Sequence, residues 1–227
     1  MNEFLRLLNQ DKPALIMSLP KNDPLLCAAA FEAGADVVKV HINVEHRASG
    51  NCFGRLAQER AALDTMLAAA KGPMGLVLGG TLEHARLDAQ EAAAMGFDFF
   101  SLYAHHTPCM AFSERQVLMA ACDGTYGYEE IEAMADMGAA VLEASIMPGT
   151  EYGQSLSLRD LLKYRAIVAR TTLPVVVPTQ RRILPADVPA LVQTGIRGIM
   201  IGAVVTGDQE ATIRESVSAF RKAIDRG

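Results

Sequence analysis

Two charged residues interrupt segments that otherwise have the apolar composition of buried strands. Lys39 lies in Asp36-Val-Val-Lys-Val-His-Ile, and Glu143 lies in Ala139-Ala-Val-Leu-Glu-Ala-Ser. Successive side chains of a strand point to opposite faces, so the aliphatic neighbours on one face place each charged group on the other face. An unpaired buried charge is costly. We therefore expect Lys39 and Glu143 to face each other inside the molecule.

A buried lysine–glutamate pair is compatible with two roles. It can be a structural ion pair, or it can be a pair of groups tuned for proton transfer. Desolvation lowers the pKa of a lysine, which suits proton transfer or formation of a Schiff base with a carbonyl compound. Because further polar residues follow the same strands, we favour a catalytic role for Lys39 and Glu143.

Four of the five histidines fall at or just past the ends of predicted strands, namely His41, His46, His105 and His106. Strand alternation directs His41 and His105 toward the interior, where one of them would carry a second proton. It directs three further polar residues the same way, namely Asn43, Ser101 and Tyr103. The remaining histidine, His84, lies in a predicted helix and is expected at the surface.

A divalent-metal site is an alternative use of these residues. His41, His105, Asp123 and Glu143 come from four different strands and are ligand types that suit zinc or a related ion. No compact motif such as HExxH supports the metal. No other cofactor is indicated.

A glycine turn follows the last apolar run, Ile199-Met-Ile, and reads Gly202-Ala-Val-Val-Thr-Gly. Such a turn after the final strand of a barrel commonly holds a phosphate, because a bare glycine lets the backbone N–H groups approach the anion. We expect Gly202, Ala203 and Val204 to bind a phosphate there. The preceding strand ends in four polar residues that would contribute, Thr179, Gln180, Arg181 and Arg182, with either arginine as a charged clamp. The alternative is a plain strand-to-helix turn without a ligand.

The elements that position these residues alternate along the whole chain. Eight strands are predicted, over residues 14–19, 36–42, 75–78, 97–103, 117–122, 139–145, 173–179 and 199–201. Helices are predicted over residues 3–10, 24–34, 54–71, 81–95, 128–137, 157–170 and 185–193. Four of the helices stop at a glycine just before a strand, at Gly34, Gly96, Gly138 and Gly195.

Strands joined by helices are parallel. The pattern therefore predicts an α/β fold, a single (β/α)8 TIM barrel over residues 1–227, with the short N-terminal helix closing its bottom. In such a barrel the chemistry lies where the strands end.

Composition and charge limit the kinds of partner that this chain is expected to bind. The chain has 227 residues, half of them hydrophobic, a net charge of −5 and no basic run, so we expect no nucleic-acid partner. No apolar stretch approaches the ~20 residues of a membrane span. The four cysteines have no CxxC spacing and the N-terminus lacks the features of a signal peptide. These features favour a cytoplasmic protein, and a homo-oligomer remains open.

Residues from about 118 to 207 resemble N-acetylmannosamine-6-phosphate 2-epimerase, a member of the ribulose-phosphate-binding barrels. The resemblance is carried by four stretches, which begin at Met119 (Met-Ala-Ala-Cys-Asp), Met137 (Met-Gly-Ala-Ala-Val-Leu-Glu-Ala-Ser-Ile-Met-Pro-Gly-Thr), Leu173 (Leu-Pro-Val-Val-Val) and Gly198 (Gly-Ile-Met-Ile-Gly-Ala-Val-Val-Thr). The opening helix, followed by Leu15-Ile-Met-Ser and then Gly34-Ala-Asp-Val-Val-Lys, is also similar to that family. The resemblance implies that Lys39 corresponds to the family's substrate-binding basic residue, and that the ligand is a small phosphorylated compound.

The chain departs from that family at both proton-transfer positions. The family's catalytic lysine ends the third strand, where this chain has Leu78-Gly-Gly, and its glutamate ends the seventh, where this chain has Pro178-Thr-Gln. Two functions stay open. One is an enzyme that isomerises, epimerises or cleaves a phosphorylated metabolite; the other is a catalytically inactive barrel that only binds a ligand or partner.

Overall fold

The computed structural model of this chain describes residues 2–109 and 117–226. Its strands are β1 (Ala14–Ser18), β2 (Val37–His41), β3 (Val44–His46), β4 (Asn51–Phe53), β5 (Met74–Val77), β6 (Phe99–Tyr103), β7 (Val117–Cys122), β8 (Val141–Ala144), β9 (Val175–Pro178) and β10 (Gly198–Ile201). Its α-helices are α1 (Glu3–Leu8), α2 (Pro24–Glu32), α3 (Leu56–Ala69), α4 (Leu82–Leu87), α5 (Ala89–Ala93), α6 (Tyr128–Ala133), α7 (Leu158–Val168), α8 (Val188–Gln193), α9 (Ala203–Thr206) and α10 (Glu210–Arg226).

Eight of the strands close into a barrel in the order β1-β10-β9-β8-β7-β6-β5-β2, and every neighbouring pair is parallel. The predicted (β/α)8 TIM barrel is therefore confirmed. The four glycines that were expected to end helices all adopt positive φ angles, 108° at Gly34, 93° at Gly96, 94° at Gly138 and 88° at Gly195. No helix of the described residues has the length and apolarity that crossing a membrane requires.

The N-terminal end of the barrel is filled by apolar side chains, as predicted for helix α1. Phe4 and Leu8 of α1 are fully buried among inward-facing residues of the strands. The ring of Phe4 stacks on that of Phe99, with the ring centroids 3.9 Å apart. Gly75, the neighbour of Phe99 on β5, has no side chain, and the Phe99 ring occupies the space where a Cβ would lie. This apolar layer closes the barrel interior at its N-terminal end.

Two segments differ from the sequence-based expectation. The helix predicted over residues 81–95 is divided into two helices, α4 and α5, at Asp88. The carboxylate of Asp88 accepts hydrogen bonds from Arg55 and from the N–H of Leu56. Strands β3 and β4, which were not predicted, form an antiparallel hairpin directly after β2. The hairpin lies outside the barrel sheet, on the side where the barrel strands end.

Candidate active site at the barrel mouth

A pocket of about 280 Å³ opens at the C-terminal ends of the barrel strands. Its wall is formed by residues from all eight barrel strands, by residues that follow five of them, and by the hairpin. Every residue of β2, β6 and β8 that the alternation of side chains places inside the barrel at this end lines it, namely Lys39, His41, Ser101, Tyr103 and Glu143. Chemistry-bearing side chains thus converge on one cavity.

Lys39 and Glu143 form an ion pair across the barrel, with 3.1 Å between Lys39 Nζ and Glu143 Oε2. Their strands, β2 and β8, lie opposite each other in the closed barrel order. Both residues are nearly buried, 5% and 6% exposed. The predicted interior placement of Lys39 and Glu143 is confirmed; their catalytic role stays a prediction.

Two serines also donate hydrogen bonds to the Glu143 carboxylate. Ser101 Oγ donates a hydrogen bond to Oε2 at 3.0 Å, and Ser145 Oγ donates one to Oε1 at 2.7 Å. Both serines are buried. An ionised carboxylate can accept several hydrogen bonds, so Lys39 and the two serines can bind it together. Tyr103 lies beside this cluster, and burial, with smaller contributions from Tyr152 and Glu143, raises the pKa of its hydroxyl, which therefore stays protonated.

His41 lies in the pocket wall, as predicted, and packs against two further rings. The centroid of His41 is 4.6 Å from that of His46 and 4.7 Å from that of Phe53. Burial, together with the charges of His46 and Lys39, holds the pKa of His41 well below its ordinary value. Burial lowers the pKa of His46 to about 4, and Lys39 adds to this shift. Both imidazoles are therefore neutral at pH 7, and they can accept a proton only transiently.

The predicted interior placement of His105 is wrong. Strand β6 ends at Tyr103, and residues Ala104–His106 form a 3-10 helix, so the alternation of a strand does not continue to residue 105. His105 is exposed and its Nδ1 lies 2.9 Å from the hydroxyl of Tyr126. His106 lies in the pocket wall instead. Asn43 is also misplaced by the alternation, because its φ angle of 54° turns the chain out of β2 into the hairpin.

The structure does not bring together the residues proposed for a divalent-metal site. His41, His105, Asp123 and Glu143 were expected to converge, but within residues 2–109 and 117–226 no group of three or more histidine, cysteine or acidic side chains could hold a metal ion. His105 is bound to Tyr126, and Asp123 accepts hydrogen bonds from the backbone and hydroxyl of Thr125. Glu143 is occupied by Lys39 and the two serines.

The glycine turn after β10 contributes Gly202 and Val204 to the pocket wall, whereas Ala203 lies outside it. The N–H of Gly202 donates to Thr179 Oγ1 at 3.0 Å, so it is not a free donor for an anion, contrary to expectation. Gln180 connects the loops after β8 and β9, because its Nε2 donates to the carbonyl of Ser145 and to the hydroxyl of Tyr152. Thr179 and Gln180 do line the pocket, but their side-chain hydrogen bonds hold the rim together.

Arg181 and Arg182, the predicted phosphate clamp, do not reach the pocket. Arg181 is buried, and its guanidinium is bound by the carboxylates of Asp160 at 3.2 Å and Glu151 at 2.5 Å. The side chain of Arg182 is exposed, and its backbone N–H donates to the carbonyl of Gln154. The prediction fails for Arg181 because two carboxylates already neutralise its charge. It fails for Arg182 because its side chain lies outside the pocket wall.

The hairpin supplies four pocket residues that were not predicted, Val44, Glu45, Arg47 and Ala48, beside His46, which was expected near the end of its strand. The run Ser49-Gly50-Asn51, at the turn into β4, is a signal that could have indicated the hairpin, and Gly50 has a φ of 71°. Asp88 anchors both ends of the hairpin. Its carboxylate accepts hydrogen bonds from Asn43 Nδ2 at 2.9 Å, on one side of the hairpin, and from Arg55 Nη2 at 2.7 Å, on the other.

Asp88→Ala is expected to lower the free energy of unfolding by about 3 kcal/mol, because the change leaves Arg55 unpaired and buried N–H donors without an acceptor. The hydrogen bonds from Arg55, opposed by burial and reinforced by Asn43, hold the pKa of Asp88 well below its ordinary value. A depressed pKa means that this stabilisation is present above pH ~4, where an unfolded aspartate is ionised, and is lost as the pH falls further. Urea unfolding of both proteins at pH 7 and pH 3 measures the difference. An equal difference at the two pH values would contradict the assignment.

Neither a protein family nor a curated protein matches the sequence. Solved structures do match. A tryptophan synthase structure from Mycobacterium tuberculosis has a TM-score of 0.72 at 17% identity over 96% of this chain and 94% of that chain. The thiamine phosphate pyrophosphorylase of Pyrococcus furiosus has a TM-score of 0.65 at 16% identity over 95% and 96%. A protein from Aquifex aeolicus has a TM-score of 0.70 at 12% identity over 98% and 97%. At identities this low the likeness concerns the barrel fold, and it is complete along the chain.

Proposed function

We propose that this chain is an enzyme that moves a proton at a carbon next to a carbonyl group in a small phosphorylated metabolite. The reaction class is an isomerisation, an epimerisation or an aldol-type cleavage. The observation that carries the proposal is the Lys39–Glu143 ion pair, which is nearly buried but forms part of the wall of an open pocket. Its location at the C-terminal ends of the strands is where (β/α)8 barrels hold their reactive groups.

The hydrogen bonds of the pair leave the lysine with donors to spare. An ammonium group has three N–H donors. Within the described residues, Lys39 Nζ donates only to Glu143. The other two can bind the carbonyl oxygen of a ligand and stabilise the negative charge that develops there when the neighbouring carbon loses its proton. Alternatively, once deprotonated, Lys39 attacks the carbonyl carbon, and loss of water gives a Schiff base.

Glu143 is the base in this proposal. The hydroxyls of Ser101 and Ser145 hold its carboxylate in a fixed position, which is what a general base requires. The protonated Glu143 then returns the proton to a different atom of the ligand, directly or through the neutral imidazole of His41 in the same wall, which takes up the proton at one ring nitrogen and releases one at the other. A proton can thus leave one carbon and be returned elsewhere, as isomerisation and epimerisation require.

Three observations support a phosphorylated ligand. The turn at Gly202 and Val204 forms part of the pocket wall, in the position where other (β/α)8 barrels bind phosphate, although the N–H of Gly202 itself is bound by Thr179. The structurally similar Pyrococcus furiosus enzyme carries a phosphate ester in its name, thiamine phosphate pyrophosphorylase. The pocket volume of about 280 Å³ suits a small metabolite. We do not extend the resemblance to the activity of the 2-epimerase family, whose two proton-transfer residues are replaced in this chain.

Hydrogen exchange with solvent tests the proposal without knowledge of the product. Dihydroxyacetone phosphate, ribulose 5-phosphate and N-acetylmannosamine 6-phosphate are incubated with the protein in D2O, and the proton signal next to the carbonyl is followed by NMR. We expect the signal of at least one compound to disappear faster with the protein than without it. If compounds bind, as shown by thermal shift, but none exchanges, the chain is a barrel that only binds its ligand.

A further inference from the structure

The hairpin extends from the end of β2 across the mouth of the pocket. Its turn is held on the loop after β1, because Ser49 Oγ and Asn51 Nδ2 both donate to the carbonyl of Pro20, at 3.2 and 2.8 Å. Arg47, near the turn, places its guanidinium 5.9 Å from the centre of the Tyr152 ring. Tyr152 follows β8, on the opposite side of the barrel. Arg47 and Tyr152 therefore connect the β2 and β8 sides of the mouth, and the Lys39–Glu143 pair connects the same two strands below them.

The position of Arg47 depends on a glycine. Gly149, in the loop after β8, has no side chain, and a Cβ added there would lie 2.5 Å from Arg47 Nη1. The guanidinium therefore occupies space that any other residue at position 149 would fill. The missing side chain at Gly149 thus leaves room for the positive charge beside the loop, on the far side of the mouth from its own strand.

Arg47 carries the uncompensated positive charge of the pocket wall. Lysine and arginine contribute two residues to that wall in the described part of the chain, and Lys39 is already paired with Glu143. Arg47 is exposed and forms no ion pair with any described residue. Glu45 stands two positions away on the same hairpin and also lines the pocket, but the two side chains do not pair.

We propose that Arg47 binds the phosphate group of the ligand and so determines its specificity, a role that rests on the proposed function for the other end of the ligand. A guanidinium presents parallel N–H donors that match two phosphate oxygens. The ligand then extends from Arg47 at the mouth to Lys39 and Glu143 below. Arg47 of the hairpin thus takes the role of charged phosphate clamp that was predicted from the sequence for Arg181 or Arg182. It also replaces the N–H of Gly202, which Thr179 already binds.

Calorimetric titration with inorganic phosphate tests the assignment in four proteins: the wild type, Arg47→Ala, Gly149→Ala and Arg226→Ala. Arg47→Ala should weaken phosphate binding at least about tenfold, the effect of losing one charge-assisted contact. Gly149→Ala keeps the charge but shifts the guanidinium, and we expect a smaller loss than for Arg47→Ala. Arg226→Ala removes an exposed arginine of α10 whose neighbour Asp225 contacts Lys12 at the other end of the barrel, and it should bind phosphate as the wild type does.

Phosphate binding by Arg47→Ala as tight as that of the wild type would overturn the proposal, and so would a wild type that binds no phosphate. The exchange assay separates this result from the fate of the proposed function. Where exchange is found, Arg47→Ala should raise the KM of a phosphorylated compound while leaving its kcat nearly unchanged. If exchange is absent but Arg47→Ala still loses phosphate, the anion site stands and the enzymatic proposal falls.

Discussion

Replacing Lys39 with methionine is expected to slow solvent hydrogen exchange into a phosphorylated hydroxycarbonyl compound by roughly 10²–10⁴-fold, the contribution of a positioned acid–base group. Methionine fills the space of the lysine stem but has no donor for a carbonyl oxygen and no nitrogen for a Schiff base. The measurement is the rate of loss of the NMR signal in D2O.

The barrel should remain folded in this variant, although it should lose stability. Glu143 is left buried without its cation, which costs about 3–5 kcal/mol, while the hydroxyls of Ser101 and Ser145 still bind it. Lys71→Met is the matched control, because Lys71 is exposed on the outer surface beside Glu32. The control should exchange at the wild-type rate. A Lys39→Met protein that exchanges equally fast would remove Lys39 from the mechanism.

Gly75→Ala is expected to lower the free energy of unfolding by about 3 kcal/mol or more, at the upper end of the range for overpacked cores. The new methyl group would occupy the same space as the Phe99 ring. That ring cannot move aside easily, because it is fully buried and stacked on Phe4. Urea unfolding measures the loss.

Two further variants show whether the Phe99 contact is the cause. Gly80→Ala, at the end of the same strand segment, meets no atom closer than 3.8 Å and should change stability by less than about 0.5 kcal/mol. Adding Phe99→Leu to Gly75→Ala shortens the conflicting side chain and should restore part of the lost stability. A Gly75→Ala protein as stable as the wild type would show that the N-terminal layer is not packed as described.

Alternation within strands was enough to find the centre of the site. The apolar neighbours of Lys39 and Glu143 fixed which face each residue occupies, and the closed parallel barrel then brought β2 and β8 to opposite sides of one interior. The positive φ angles at Gly34 and Gly195 were likewise predictable, because a glycine just before a strand is the usual end of a helix.

The alternation failed where strands end. His105 follows the last residue of β6 by two positions, and a 3-10 helix begins between them. Asn43 follows β2 by two positions, and its positive φ starts the hairpin. The alternation of side chains along a strand does not indicate where the strand stops. It therefore placed His105 and Asn43 inside the barrel pocket, and neither residue lines it.

The sequence also could not predict which arginines form ion pairs. Arg181 pairs with Asp160 and Glu151, which lie 21 and 30 positions away. Arg47 forms no ion pair within the described residues and lies at the mouth. Which arginine is neutralised depends on how the loops after β8 and β9 pack, and local pattern does not report that packing.

The central claim is that Lys39 and Glu143 form a reactive pair and not a structural one. The double variant Lys39→Met, Glu143→Leu tests it most directly, because apolar replacement of a whole buried ion pair is neutral or stabilising by about 1–4 kcal/mol. We predict that its free energy of unfolding returns at least to the wild-type value, while hydrogen exchange into the phosphorylated compounds is absent. Exchange at the wild-type rate in this folded, stable protein would contradict the account.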